Sequence, residues 1–146
     1  LGGTKVEGVV LDSENGNSVV CRTRLDTLAN NGYEAILNQL KHLVSILSEQ
    51  VKERPSVIGI GHPGSIDPET ALLRNSNTQC MNGEPLAKDL ESILDCEVRT
   101  ANDANCFALA EATLGAAKGS PVVFGVILGT GVGGGIVING QVLNGL

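Results

Sequence analysis

The sequence predicts an α/β fold, and three observations support this class. A predicted strand hairpin opens the chain, a long amphipathic helix follows it, and a short apolar run at residues 56–60 comes directly after that helix. A continuous apolar run in this position is typical of a buried parallel strand, so it indicates a β-α-β crossover. The apolar fraction of 42% over 146 residues is sufficient for a buried core.

The first half of the chain supplies the hairpin and the long helix. Residues 5–12 and 18–24 are the predicted strands, because Asn15-Gly16 between them is a strong signal for a two-residue turn. Residues 33–53 are predicted as a helix that ends before Pro55. Its apolar side chains recur at three- and four-residue steps: Tyr33, Ile36, Leu37, Leu40, Leu43, Val44, Leu47 and Val51.

The second half predicts another helix, a strand and a third helix. Pro85 suits the first turn of a helix at residues 85–94, and a strand follows at residues 96–99. Residues 106–114 have a helical pattern that stops at Gly115. The best linker comes next, so we predict one domain at residues 1–117 and the start of a second at residues 118–146.

Asn102 and Asp103 lie at the corner between that strand and the third helix. Open α/β sheets bind their ligands at the carboxyl ends of strands, so Asp103 is a candidate catalytic base. The helix dipole favours its charged form. The alternative is that Asp103 only caps the helix that follows.

A glycine-rich stretch near the end of the chain formally matches the dinucleotide-binding pattern, with Gly129, Gly131 and Gly134 as its glycines. A dinucleotide fold needs a helix next, but residues 136–138 are β-branched and Asn139-Gly140 signals a hairpin turn. We therefore predict a strand, a glycine turn and a second strand, whose uncovered amides could hold a phosphate. Gly2-Gly3-Thr4 has the same character, with a hairpin turn as the alternative.

The loop at residues 61–68 follows a predicted strand and is rich in glycine and proline, so it favours either a ligand contact or a simple tight turn. Asn75-Ser76-Asn77 could recognise hydroxyl groups or form a solvated turn.

Composition excludes several classes of function. A net charge of −6 and three aromatic residues argue against a nucleic-acid surface, and there is no apolar run long enough for a membrane span. Without a signal-peptide pattern, we expect a cytoplasmic protein. No two of the four cysteines have the spacing of a zinc half-site, so we predict free thiols and no metal ligands.

Four segments together resemble the bacterial ROK family of sugar kinases and repressors. They are Leu1-Gly2-Gly3-Thr4-Lys5, Gly61-His62-Pro63-Gly64, Asn102-Asp103-Ala104-Asn105-Cys106 and Leu128-Gly129-Thr130-Gly131-Val132-Gly133-Gly134-Gly135. The resemblance implies an actin-like ATPase (ribonuclease H-like) fold, as an N-terminal domain plus the first hairpin of the second. It also implies ATP and Mg²⁺ as cofactors and a hexose as substrate.

The resemblance assigns roles to individual residues. Asp103 matches the catalytic base, and Gly64, Asn77 and Asn102 match positions that contact sugar. The residues around the ATP phosphates are Gly3, Thr4, Lys5, Gly129, Thr130, Gly131, Val132, Gly133 and Gly134. The family's structural zinc is expected in the full-length protein, with ligands that are absent from this chain.

The loop at residues 75–86 looks most like the fructokinase and mannokinase branch, so we expect fructose or mannose as substrate. The chain starts and stops abruptly for a domain, and we expect a fragment truncated at both ends and inactive alone. Its exposed hairpin edge predicts a homodimer or a self-associating fragment. The alternative function is the sugar-sensing domain of a ROK-family transcriptional repressor.

Overall fold

The structure is a computed structural model that describes residues 1–128 and 132–144. It contains two compact units, Leu1–Thr100 and Ala101–Leu146. Nine strands and three α-helices occur in the described ranges. In chain order they are β1 (Lys5–Asp12), β2 (Ser18–Asp26), α1 (Tyr33–Val51), β3 (Val57–His62), β4 (Ser65–Ile66), β5 (Leu73–Arg74), α2 (Leu86–Leu94), β6 (Glu97–Asn102), α3 (Asp103–Thr113), β7 (Val122–Leu128), β8 (Val132–Ile138) and β9 (Gln141–Val142).

The hairpin and the long helix form the core of the first unit. Strands β1 and β2 pair antiparallel with a bulge between Val10 and Leu11, and α1 lies on one face of them. A Cβ added at Gly8 would come 2.6 Å from a methyl group of Leu47, so the helix packs directly against the strand backbone there. The fully buried apolar side chains of this core include Ile36, Leu86 and Leu90.

Strand β3 is present where the sequence predicts it, but the expectation that it is buried along its length is wrong. Val57 is 48% exposed, because only one side of the strand meets the core, through Ile60. In the part of the chain that the structure describes, β3 pairs with β6 and not with β1. A cavity of about 380 Å³ is lined by β1, β3 and the inner face of α1.

Tyr33, at the start of α1, links this helix to α2. Its hydroxyl donates a hydrogen bond to Asp89 Oδ2 at 2.9 Å. Burial raises the pKa of the Tyr33 phenol well above its ordinary value, and the neighbouring Asp89 carboxylate raises it further. The neutral phenol is therefore the form that the fold stabilises.

We expect the fold to lose stability when the phenol of Tyr33 ionises. Because its pKa is raised in the folded state, the contribution of Tyr33 is present below its ordinary pKa of 10.0 and is lost as the pH rises above that value. The free energy of unfolding should fall more steeply between pH 9 and pH 11 in the wild type than in Tyr33→Phe (roughly the range around an unperturbed tyrosine). Tyr33 is the single tyrosine of the sequence, so its ionisation can be followed by ultraviolet absorbance. Identical pH profiles for the two proteins would contradict this prediction.

The second unit is a three-stranded antiparallel sheet with α3 on one face. Strand β8 lies between β7 and β9. Val123 and Val137 are buried against Ala108 of α3. The opposite face carries exposed apolar side chains, namely Val122, Phe124, Val126, Leu128, Val132, Ile136 and Ile138. We call these seven residues the apolar sheet face.

Helix α3 groups with the strands that follow it, so the two compact units divide between Thr100 and Ala101. The sequence places the domain boundary after residue 117, at the linker. The difference arises because Ala104 and Ala108 pack against β7 and β8, a contact that linker composition does not reveal. The domain boundary after residue 117 stays a prediction.

Candidate functional site

Asn102, and not Asp103, caps the third helix. The side-chain Oδ1 of Asn102 accepts a hydrogen bond from the amide of Asn105 at 3.1 Å, and its backbone is extended, as in a standard N-cap. Helix α3 therefore begins at Asp103, three residues before the predicted start. The alternative in which Asp103 serves as the cap is wrong.

Asp103 is exposed at the first position of α3. Its Oδ1 accepts one hydrogen bond, from the amide of Ala104 at 2.8 Å. No other described residue donates a hydrogen bond to this carboxylate. Asp103 therefore has a fixed backbone and a carboxylate that can accept a proton or a hydrogen bond from a ligand.

The turn at the start of the chain is held from behind by Thr27. This residue is fully buried, its hydroxyl donates to Gly2 O at 2.7 Å, and its amide donates to Thr4 O at 2.9 Å. Within residues 1–128 and 132–144, the amides of Gly3 and Thr4 donate no hydrogen bond to the protein. A turn with two available amides fits the predicted contact with an anion such as a phosphate.

Lys5 forms an ion pair with Asp26, its direct partner in the β1–β2 hairpin. Both side chains are more than half exposed, so this pair contributes little to stability and can open toward a ligand. The predicted contact between Lys5 and a phosphate stays a prediction.

Gly64 makes a close contact in the loop after β3. Its φ of +85° favours glycine, and an added Cβ would come 2.5 Å from Arg74 O and 2.8 Å from the amide nitrogen of Ser76. The loop is also fixed by Asp67, whose carboxylate accepts from the amides of Glu69 and Thr70. These two hydrogen bonds lower the pKa of Asp67. The loop is a tight turn, and the sugar contact of Gly64 stays a prediction.

Asn82 holds the segment that carries Asn77. Its Oδ1 accepts from Ser76 N at 2.8 Å, and its Nδ2 donates to Ser76 O at 3.0 Å. Asn77 itself is exposed. Sequence reasoning did not assign Asn82 a role, and the Asn82-Gly83 pair, a common turn signal, was the available hint.

The first unit brings three of its predicted site segments together. Gly64 contacts Ser76, and an added Cβ at Gly3 would lie 3.4 Å from the hydroxyl of Thr78. The segment that contains Asn77 is therefore close to both the sugar loop and the N-terminal turn. Asn102, Asp103 and the second glycine motif belong to the other unit.

Strand β8 begins earlier than the sequence predicts. Strand β8 begins at Val132 and pairs with β7 through Gly133, Gly134 and Gly135, so these glycines are strand residues. The predicted phosphate contacts of Gly129, Thr130 and Gly131 lie outside the described residues. The predicted phosphate contacts of Val132, Gly133 and Gly134 stay predictions. These three residues are the first residues of β8.

Two glycines of this motif, Gly133 and Gly135, contact α3. An added Cβ at Gly135 would come 2.6 Å from Ala104 O, and one at Gly133 would come 3.2 Å from Ala104 Cβ. Gly125 of β7 has the same relation to Ala108, at 2.9 Å from its Cβ. Sequence reasoning missed this function of the glycines, because phosphate contact and close packing require the same small residue.

The described residues contain no group of three or more metal-binding side chains. All four cysteines are free thiols. In the described residues, no helix has the length and apolar character that a membrane crossing requires.

Comparison with known proteins gives consistent matches along the chain. The profile of the ROK family matches residues 1–146. An N-acetyl-D-glucosamine kinase of Histophilus somni is 41% identical over 145 residues, which cover 99% of this chain and 46% of that protein. The chain therefore spans about half the length of the curated relatives it matches.

Two solved structures show the fold. A ROK family glucokinase from Streptomyces griseus, in complex with glucose and AMPPNP, superposes with a TM-score of 0.86 at 30% identity, covering 100% of this chain and 45% of that one. A ROK family transcriptional regulator, a homologue of an Escherichia coli protein, matches with a TM-score of 0.80 at 22% identity, covering 99% of this chain and 37% of that one, and supports the fold alone. The predicted actin-like ATPase fold is confirmed. The chain belongs to the ROK family.

Proposed function

We propose that the intact gene product is an ATP-dependent hexose kinase that transfers the γ-phosphoryl group to a sugar hydroxyl. The observation that carries this proposal is the geometry of Asp103. Asn102 takes the capping role, so the Asp103 carboxylate is exposed at the first position of α3 and keeps hydrogen-bonding capacity for a substrate. The carbohydrate kinases among the relatives support the same class of reaction.

Asp103 would accept the proton of the attacking hydroxyl as the oxygen bonds to phosphorus and ADP leaves. Phosphoryl transfer proceeds through a loose transition state, so the protein mainly aligns the reactants and neutralises charge. Positioning therefore matters more than basicity for Asp103. Gly64, Asn77 and Asn102 would hold the sugar, and their hydrogen-bonding groups would orient its hydroxyls.

ATP and Mg²⁺ are the cofactors that we propose. The available amides of Gly3 and Thr4 fit a phosphate group, and Lys5 would add a positive charge after leaving Asp26. Magnesium is commonly held by one or two carboxylates together with substrate phosphates, so a dedicated cluster of ligands is not required. The zinc expected in the longer protein stays a prediction.

For the sugar, the comparisons do not support the expected fructose or mannose. The relatives are named N-acetyl-D-glucosamine kinases and the solved kinase binds glucose, so we propose N-acetylglucosamine or glucose as the substrate. The test is a coupled assay of ADP release by the intact gene product with these two sugars, fructose and mannose. A higher kcat/KM for fructose or mannose would contradict the proposed sugar.

A sugar-sensing repressor domain is the second candidate, because the regulator shares the fold. Asp103 and both glycine motifs favour the kinase. Sugar binding without ADP release by the intact gene product, together with binding to DNA, would favour the regulator. We further propose that residues 1–146 alone are inactive and that the protein functions in the cytoplasm.

We also propose that residues 1–146 self-associate through the apolar sheet face. Seven exposed apolar side chains form this face, and β7 is an edge strand with an unpaired side in the described sheet. We expect an oligomer in light scattering coupled to size exclusion, and a shift toward monomer in Phe124→Glu, where the ring is 67% exposed. A wild-type monomer at all concentrations would contradict this proposal.

A further inference from the structure

Among the described glycines of the second unit's sheet, Gly135 makes the closest approach to α3. An added Cβ there would lie 2.6 Å from Ala104 O, 2.9 Å from Asn105 Cα and 3.0 Å from Ala104 C. These are backbone atoms, so a change of side-chain rotamer cannot relieve the overlap. The distance between β8 and the first turn of α3 is therefore one that only glycine permits.

The same contact continues along the helix. Gly125 of β7 faces Ala108, with 2.9 Å from an added Cβ to Ala108 Cβ and 3.0 Å to its Cα. The helix side consists of Ala104, which is 2% exposed, and Ala108, which is 0% exposed. Methyl groups of the helix thus lie directly on strand backbone, and interiors packed this tightly do not absorb an extra methyl without movement.

The first turn of α3 is also the turn that carries the proposed catalytic base. Asp103 precedes Ala104 directly, and its carboxylate accepts a hydrogen bond from the Ala104 amide. Any movement of the Ala104 peptide therefore moves Asp103 with it. A displacement of about 1 Å at a reacting group can reduce the rate about a hundredfold.

We infer that Gly135 is a positioning residue for Asp103. The inference rests on the proposed kinase function. Gly135, the last glycine of the glycine-rich motif, fixes the distance between β8 and the helix that carries the base.

The test compares three glycine-to-alanine variants of the intact gene product. Gly135→Ala overlaps the first turn of α3, and Gly125→Ala has a similar overlap with Ala108, more than one turn further along. Gly59→Ala is the control for the substitution itself, because an added Cβ at this strand position meets nothing within 4 Å. We measure the melting temperature, kcat and the KM for ATP and for sugar.

We expect Gly135→Ala to lower kcat at least about tenfold and to leave the KM for ATP within about twofold of wild type. Gly125→Ala should lose a similar amount of thermal stability and retain most of its kcat, and Gly59→Ala should match the wild type. If Gly135→Ala does not fold, Gly133→Ala replaces it, since its added Cβ meets Ala104 Cβ at a milder 3.2 Å. A loss of kcat at constant KM for ATP then supports the inference.

Wild-type kcat in the folded variant, or losses of kcat that follow the melting temperature equally in Gly135→Ala and Gly125→Ala, would overturn the inference. These results differ from failure of the proposed function, in which the wild type itself has no kinase activity with any sugar.

Discussion

Replacing Asp103 by Asn should reduce kcat of the intact gene product at least about a hundredfold, because general base catalysis contributes roughly 10²–10⁴-fold. Sugar binding should change little. The amide oxygen of Asn can still accept from Ala104 N, and the helix cap belongs to Asn102, so α3 keeps its start. The variant loses the carboxylate and little else.

The matched control is Glu34→Gln, which makes the same change from acid to amide in the first turn of α1. We expect this control to have wild-type kcat. Steady-state kinetics give kcat, and calorimetric titration with sugar gives the dissociation constant separately. Full turnover by Asp103→Asn would show that Asp103 is not the catalytic base. Loss of both sugar binding and turnover would show that Asp103 only binds the substrate.

Replacing Gly64 by Ala should destabilise the fold more than the other glycine-to-alanine substitutions do. Its φ of +85° costs an alanine about 1–2 kcal/mol. In addition, the added methyl would overlap Arg74 O and the Ser76 amide, which are backbone atoms. Overpacking of this kind costs a further 1–3 kcal/mol or so. We therefore expect a loss of roughly 2–5 kcal/mol in the free energy of unfolding.

Gly83→Ala separates the two contributions to this loss. Gly83 has a nearly identical φ of +86°, and an added Cβ meets nothing within 4 Å. It should therefore lose only the backbone part, about 1–2 kcal/mol. Chemical denaturation of both variants measures the difference. Equal losses would show that the contact between Gly64 and the Arg74–Ser76 backbone is not tight in solution.

Regular elements of the first unit could be predicted from the sequence because their signals are local. Strand β1 occupies the predicted residues 5–12, and α1 starts at the predicted Tyr33. The predicted helix extends two residues further than α1, because Lys52 adopts a left-handed backbone with φ of 59° and ends the helix. Apolar periodicity does not contain that information.

The start of α3 shows a different kind of limit. Asn102 and Asp103 are both good N-cap residues, so composition alone does not choose between them. The hydrogen bond from Asn105 N to Asn102 Oδ1 identifies Asn102 as the N-cap. The Asp103 carboxylate is therefore not needed for capping. The sequence singles out Asp103 as the candidate base, and the structure adds why its carboxylate is available to a ligand.

The glycines of the second motif show why the rest of the site could not be predicted. A glycine that exposes its amide to a phosphate cannot be distinguished in a sequence from a glycine that allows a helix to pack against the strand backbone. Only the position of α3 on β8 assigns the second role to Gly135. The expectation of fructose or mannose has a similar limit, because it rested on loop resemblance and the relatives are named for other sugars.

The most direct test of the kinase proposal is to identify the product formed from ATP and N-acetylglucosamine or glucose. The intact wild-type protein and Asp103→Asn are incubated side by side with Mg²⁺, and sugar phosphate and ADP are quantified by mass spectrometry. We predict equal amounts of sugar phosphate and ADP from the wild type and at least about a hundredfold less of both from the variant. ADP without sugar phosphate, or no product from any hexose, would contradict the assignment of this chain to a sugar kinase.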